Sequence, residues 1–490
     1  MLQENYPDLF ADELLKRSEG LRVPGSDPIT FDSHQEEAML AVAIAVSDGE
    51  RKFSVVHPGG SGKTVLEAGI VQASQAAKKK LGEAAEGTKD LVLTVERSLI
   101  TNVREHLEAT LGEEVGQWGM GERNLDPKVI VASVQALQRQ GESLRDHLNL
   151  SRVSLVLGDE ADKYLTKSRI ALLNKFRGAY RIGLTATDEW SDGRHIDMAW
   201  GQTLHKLRLM EGIRRGINVP PLFYMYEADV DGDSINVSGG DYDHSSLASA
   251  MKSVEIEMAI PEIYKTMVPT NRRKDFPTMV FVPSVNTLHA TTERLQKEFD
   301  GTGLNISSWY GGTPNEQVIN DTAAFDRGEL DMLVLCEMGG RGLNLPRARC
   351  LIDAYPTLSK NKLEQRHSRV LRRIREGSPL EKEGFQKGFA NIAQILPRSN
   401  SFRPVTLLDI LDQWANYQPG QMIGRGGGKG NPDLAPPYAA EVAEIVQHIK
   451  AHPVRSRVSL IEHVDILKEI QSFEDIPQAD EDGFIYLDKE

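Results

Sequence analysis

Two cysteines in 490 residues, Cys336 and Cys350, are too few for a disulfide framework and lack metal-ligand spacing, so a reducing compartment is expected. Long apolar runs are missing too. The longest, AMLAVAIAV at 38–46, falls far short of the roughly 20 residues that span a bilayer. It is expected as a buried helix, and no membrane partner is expected. The opening MLQENYPDLFADELLKRSEG has no basic start followed by an apolar core, so no secretory signal is expected and the expected location is cytoplasmic. Positive charge is in deficit. With 57 Lys+Arg against 71 Asp+Glu and a formal charge of -14, a uniformly basic nucleic-acid coat is excluded, and any such partner must meet a local basic groove.

The length exceeds what one hydrophobic core usually organises, which predicts two or three domains. After an N-terminal helical segment (1–29), short apolar strands such as KFSVVH, LVLTV, VIVAS, SLVLGD and YRIGLTA alternate with amphipathic helical stretches. That is the pattern of a parallel sheet covered by helices, and it predicts one α/β domain over 30–215. A second series, PTMVFV, ISSWYGG, DMLVLCE and CLIDAY, predicts another over 260–415. Residues 216–259 read as a connector or small insertion and 416–437 as a Gly/Pro-rich linker. The remainder, 438–490, reads as two helices and an acidic tail, a small, mostly helical accessory extension suited to docking a protein partner.

VVHPGGSGKTV, residues 55–65, runs from apolar strand through glycines to Gly-Lys-Thr. Glycines let backbone amides approach phosphates, and a following helix points its positive end at them. Gly59, Gly60, Ser61 and Gly62 would form the cradle, Lys63 would contact the β- and γ-phosphates, and the Thr64 hydroxyl would ligate Mg²⁺. The complementary acid belongs at the end of another buried strand, which LVLGDEAD (155–162) supplies. Asp159 would hold Mg²⁺ through its water shell, and Glu160 would orient and deprotonate the attacking water.

With these motifs in order, the chain resembles the superfamily 2 helicases over about 30–375. Asp159-Glu160-Ala161-Asp162 spells the signature of the DEAD-box group, EMGGRGLNLP (337–346) resembles motif V and QRHSRVLRR (365–373) motif VI. The resemblance implies two tandem RecA-like domains and ATP with Mg²⁺ in their cleft. It assigns Gln35 to adenine, Thr185 and Thr187 in LTATD to coupling hydrolysis with strand separation, and Asn344 to the nucleotide side of motif V. Arg369 and Arg372 would reach across the cleft to charge developing on the γ-phosphate, and Gln365 would position water. For the nucleic-acid track it suggests Arg97, Ser133, Gln135, Ser284, Gly312 and Arg341, groups able to grip phosphates without reading bases.

The chain departs from that pattern in places. His57 fills a usually small first phosphate-loop position, Cys336 stands where motif V often has Thr, and Asn344 replaces its usual Asp. VERSL replaces the Pro-Thr-Arg-Glu-Leu motif of DEAD-box RNA helicases, and motif VI begins with Gln365 instead of their His. LMEGIRRGINVPP resembles the linker of helicases related to type III restriction-enzyme motor subunits. The expected function is therefore an ATP-dependent helicase acting on nucleic acid, DNA in preference to RNA. A double-strand translocase or remodelling subunit that does not unwind, and an RNA helicase, remain the alternatives.

Overall fold

The computed structural model describes residues 2–461 except 19, 22, 25–27, 97–98, 189–193, 337–344, 399–403, 412–420, 423–435, 453 and 455–456. Arg97, Arg341, Asn344, most of the expected linker and the acidic tail lie outside the described residues.

Eight described strands make a first sheet: β1 (Lys52–Val56), β2 (Lys89–Thr94), β3 (Gly116–Gly119), β4 (Glu122–Asn124), β5 (Val129–Ser133), β6 (Val153–Asp159), β7 (Tyr180–Thr185) and β8 (Thr203–Lys206). Their spatial order is β8-β1-β7-β6-β2-β5-β3-β4. Pairing is parallel throughout except between β3 and β4 at the edge. The central strands are apolar on both faces because helices cover both. Among these helices are α1 (Leu2–Lys16), α2 (Ser33–Ser47), α3 (Lys63–Leu81) and α4 (Val134–Gln140). Helix α3 buries Leu66, Ile70, Ala73 and Ala77, a stripe at helical spacing, and ends with Lys78, Lys79 and Lys80 where its dipole favours cations. Helix α1 inserts Tyr6, Phe10 and Leu14 into the same core. In α2 the expected burial is partial: Leu40 and Ile44 face outwards while Met39, Val42 and Val46 are buried.

The second sheet holds β9 (Pro221–Asp231), β10 (Thr278–Val282), β11 (Ile306–Trp309), β12 (Met332–Cys336), β13 (Cys350–Asp353), β14 (Ala390–Arg398), β15 (Gln421–Met422) and β16 (Val458–Leu460). The order is β11-β12-β10-β13-β14-β9-β15, with β16 also on β9. Strands β11 through β9 are parallel, and β15 and β16 are antiparallel additions. The expected connector over 216–259 is thus corrected. It supplies β9, whose Leu222, Tyr224 and Tyr226 point into the second core.

The C-terminal accessory reading is corrected in the same way. The helices of this domain include α5 (Ile256–Met267), α6 (Val285–Glu298), α7 (Lys360–Val370) and α8 (Pro436–Ala451), and α8 buries Val442, Ile445 and Ile449 in that core. Its Glu441 forms a buried ion pair with Arg349 at 2.7 Å and a second pair with Arg272 at 2.9 Å. Val458–Leu460, expected to begin a helix, is strand β16, drawn into the sheet by the open edge of β9. No helix among the described residues is long and apolar enough to cross a membrane.

Parallel strands of one sheet finish at one edge, where α/β folds place their ligands. Val56, Thr94, Ser133, Asp159 and Thr185 therefore share an edge of the first sheet, and Val282, Trp309, Cys336 and Asp353 one of the second.

Candidate functional site

The phosphate loop leaves β1 at Val56 and enters α3 at Lys63, with Gly60 (φ 84°) and Gly62 (φ 82°) in the left-handed region that favours glycine. Its floor is α2. Gln35 donates to the Ser61 and Gly62 carbonyls at 3.3 and 3.1 Å and accepts from the Asp32 amide at 2.9 Å. The Gln35 side chain, expected at adenine, is here committed to holding the loop. His34 hydrogen-bonds the Ser61 carbonyl at 2.8 Å. His57 turns its ring away into a chain, meeting His205 at 2.7 Å, which in turn meets Glu37 at 3.2 Å. Burial, then His205 and His34, hold His57 well below the usual imidazole range, so its unusual place in the loop is filled by a neutral ring.

Lys63 folds back to donate to the His57 and Pro58 carbonyls at 2.8 and 3.1 Å. Burial lowers its pKa, and Asp159 and Glu364 oppose that shift. Thr64 is exposed beside it, and the Ser61 hydroxyl is buried without a partner. Asp159 ends β6, and its carboxylate accepts the Glu160 amide at 2.9 Å. A hydroxyl and a carboxylate flanking an anion cradle fit magnesium, which keeps waters and takes phosphate oxygens.

Glu160 sits at φ 52°, an uncommon conformation for a side chain of its size. Burial pushes its carboxyl up to about 7; Lys163 opposes, while Glu96 and Asp159 add to the rise. Asp162 accepts a 2.6 Å hydrogen bond from the Thr185 hydroxyl, and the Thr187 amide donates to that hydroxyl at 3.3 Å. The Thr187 hydroxyl itself is buried and unpartnered.

Helix α7 of the second domain lies directly over the loop. A Cβ on Gly59 would stand 2.0 Å from the Ser368 hydroxyl, one on Gly60 2.5 Å from Arg372 Cγ, and one on Gly62 2.2 Å from Arg375 Nη2. Asn218 closes the seam by donating to the Gly59 carbonyl at 3.0 Å and the Leu371 carbonyl at 3.3 Å. Arg373 pairs with Asp32. Burial and Arg372 work against the charge of Arg369, and Glu160 and Glu96 support it from the first domain. Gln365 lines a cavity beside Arg369, Tyr355 and Phe281.

Of the expected nucleic-acid contacts, the described Ser133, Gln135, Ser284 and Gly312 follow the strand ends at these same edges but are partly occupied. Ser133 caps α4, donates to Gln135 at 2.7 Å and is nearly inaccessible; Gln135 donates to the Val95 carbonyl at 2.7 Å. Ser284 caps α6, and Gly312 lies in an exposed turn closed by Thr313 onto Tyr310. Asn218, Arg375, Glu364 and Lys163 join the site without having been singled out. Only RGIN at 215–218 inside the linker-like stretch and the basic run extending to Arg375 hinted at two of them.

Two family models match in tandem: the type III restriction enzyme res subunit over 28–189 and the helicase conserved C-terminal domain over 258–373, together more than half of the chain. A Saccharomyces cerevisiae protein named as the ATP-dependent helicase IRC3 is 25% identical over 369 residues, 73% of this chain and 52% of its own. A Halobacterium salinarum protein named as the DNA 3'-5' helicase Rad25 is 24% identical, over 61% of this chain and 46% of its own. The chain thus spans about half the length of the curated relatives it matches. Among solved structures, a fragment described as the HsdR subunit of a type I restriction enzyme from Vibrio vulnificus aligns with TM-score 0.55 at 16% identity, over 82% of this chain and 73% of that one. The restriction-modification enzyme LlaBIII bound to DNA aligns with TM-score 0.56 at 12% identity, over 88% and 34%. These likenesses establish the fold. Together with the paired family models in their order along the sequence, they make the chain a member of the superfamily 2 helicases, with a core of the type III restriction-enzyme kind.

Proposed function

We propose that the chain hydrolyses ATP with Mg²⁺ in the cleft between its sheets and uses the resulting opening and closing to move along nucleic acid, DNA in preference to RNA, separating strands as it goes. The observation that carries this reading is the seam itself, where Ser368 and Arg372 of the second domain lie against Gly59 and Gly60 of the loop and Asn218 bonds the Gly59 and Leu371 carbonyls, which puts Arg369 within reach of the charge of Glu160 and Glu96. Backbone amides of 59–64 cradle the phosphates, and Lys63 leaves the His57 and Pro58 carbonyls for them. Thr64 and Asp159 would hold Mg²⁺, which would supply charge neutralisation to the bound phosphates. Glu160 takes the proton of the attacking water, and Arg369 and Arg372 stabilise the developing charge. Loss of the γ-phosphate removes what both domains share, so the seam loosens.

The preference for DNA rests on VERSL in place of the RNA-helicase motif and on the restriction-enzyme family match. The same match favours a second reading, a double-strand translocase that turns over ATP without unwinding. Turnover measured with single-stranded DNA, duplex DNA and RNA, beside release of a labelled strand from a forked duplex, tests both. Release with ATP supports the helicase, DNA-stimulated turnover without release supports the translocase, and turnover that no nucleic acid raises defeats both.

A further inference from the structure

Between β9 and α5 the chain makes a short hairpin, Val237–Ser238 paired with Asp241–Tyr242, followed by a helix, His244–Ser253. Gly239 and Gly240 turn it at φ 62° and 83°, the positive values that a two-residue hairpin turn requires. Ile235, Tyr242, Leu247 and Met251 bury in the second core, so the unit is fixed to that domain. Asp241 is thereby held against the turn that leads into α7. One of its carboxylate oxygens accepts from the Leu358 amide at 2.7 Å, and the other accepts from the Thr357 hydroxyl at 2.8 Å and the Lys362 ammonium at 2.9 Å. Burial works against its charge, yet the Leu358 amide and Lys362 hold the carboxyl below its ordinary range.

Helix α7 has a use for that charge. Its first turn contains no acid and carries Lys360 and Lys362, at the end where the backbone dipole is positive. Asp241 supplies the missing negative charge from another element and takes the Leu358 amide just ahead of the Ser359 cap. The Ser359 amide in turn donates to the Thr357 hydroxyl at 3.1 Å. From this anchored turn Lys362, Gln365, Arg366 and Arg369 follow at spacings that put them on one stripe of the helix, and together with Asp241 they line one cavity. Arg369 stands about 10 Å along the axis from Lys362, a length over which a helix is nearly straight. Asp353 holds the middle of α7 through Arg366 at 2.8 Å and His367 at 3.0 Å. One anchor leaves a helix free to swing; the second, at Asp241, sets the direction of the stripe.

We propose that Asp241 is a positioning residue for ATP hydrolysis: the hairpin it belongs to braces the start of α7 and so sets how Gln365 and Arg369 face the cleft. The inference rests on the function proposed above and deepens it, giving the unit at 232–253 a part in that reaction from outside the phosphate cradle.

The test measures kcat and KM for ATP on the full chain, for the parent, Asp241→Ala, Asp241→Asn, Arg369→Ala and the two double variants, at a temperature where thermal unfolding shows each to be folded. Asp241→Ala lowers kcat on the order of tenfold while KM stays within about threefold, because the loop that binds the phosphates is untouched. Asp241→Asn keeps an acceptor for the Leu358 amide and loses the charge, so its kcat falls on the order of threefold. It carries the test if Asp241→Ala does not fold. Beside Arg369→Ala either change lowers kcat by less than about twofold, since the chief group being aimed is already gone. A domain merely loosened would lose the same factor in both backgrounds. Parental kcat in Asp241→Ala, or a loss of equal size with and without Arg369, overturns this inference alone. A parent that does not hydrolyse ATP, or parental turnover in Arg369→Ala, overturns the underlying function instead.

Discussion

Thr185 donates its hydroxyl hydrogen to Asp162 over 2.6 Å, tying the end of β7 to the turn that follows β6 and carries Glu160. Burial pushes the Asp162 carboxyl up, and this hydrogen bond is the main opposing influence. Thr185→Val keeps the shape and removes the donor. It should destabilise the fold by about 1–3 kcal/mol, the usual consequence of stranding a buried polar partner. Hydrolysis should fall less than strand release does, since the base stays in place while its link to the neighbouring strand is lost. Thermal unfolding reads the first effect, and the number of ATP molecules consumed per released strand reads the second.

Substituting the two halves of the cleft separately distinguishes binding from chemistry. Glu160→Gln preserves size but not basicity, so ATP should still bind and close the domains while turnover drops by about 10² or more. Arg369→Ala removes a charge that acts across the seam and should raise the barrier by about 3–4 kcal/mol, with weaker closure. Nucleotide binding by fluorescence, beside steady-state turnover, separates the two. Parental turnover in Arg369→Ala would refute a composite site.

Acidity should switch the base off. In the proposed mechanism Glu160 accepts a proton only as the carboxylate, and burial pushes its pKa up to about 7. On acidification below about 7 the active fraction should therefore shrink towards a tenfold loss per pH unit, while above it the rate levels off. The pH profile of kcat gives the midpoint. Glu160→Gln should retain only a slow residual rate with no such step.

The loop at 57–64 and the tetrad at 159–162 were legible in the sequence because each is a contiguous run whose chemistry is local. Strand identity was legible for the same reason, since parallel strands covered on both faces are apolar end to end. What contacts across the fold decide was not legible. Lys163 is read as an ordinary charge until Glu96, distant in sequence, is brought beside it. Ser133 and Gln135 carry the residue types of a phosphate track, yet local capping and the Val95 carbonyl use them. Helix α8 is amphipathic whether it docks on its own chain or on a partner, and only the placement of Arg349 decides between them.

That placement predicts a large effect far from the cleft. Arg349 is buried, stacked 4.3 Å over Phe276 and 4.7 Å over Phe389, and paired with Glu441 at 2.7 Å. Glu441→Ala should destabilise the second domain by about 3–5 kcal/mol, because it leaves a cation uncompensated in the interior. A chain truncated near Pro419 should lose cooperative unfolding of that domain, since Val442, Ile445 and Ile449 go with it. Chemical denaturation of both variants measures this. A truncated chain with parental stability would return 436–461 to the role of accessory.

The closest approach of the two domains offers the sharpest test of the seam. A Cβ added at Gly59 would lie 2.0 Å from the Ser368 hydroxyl and 2.5 Å from its Cβ, too near for either side to absorb by a small rotation. Gly59 has no positive φ that would strain an alanine, so Gly59→Ala acts through this contact and not through the loop's own conformation. The second domain must back away, and with it Arg369 and Arg372. Displacement of these two arginines, catalytic in the proposed mechanism, should lower turnover on the order of tenfold to a hundredfold, while ATP still binds the first domain within a few fold. Ser368→Gly removes the opposing atoms at a cost to helix α7 of about 1 kcal/mol. The double variant should therefore recover most of the lost turnover, although each single change is harmful. Loss of ATP binding in Gly59→Ala would locate the damage in the phosphate loop itself. Failure of Ser368→Gly to rescue would show that this contact does not govern how the arginines reach the cleft.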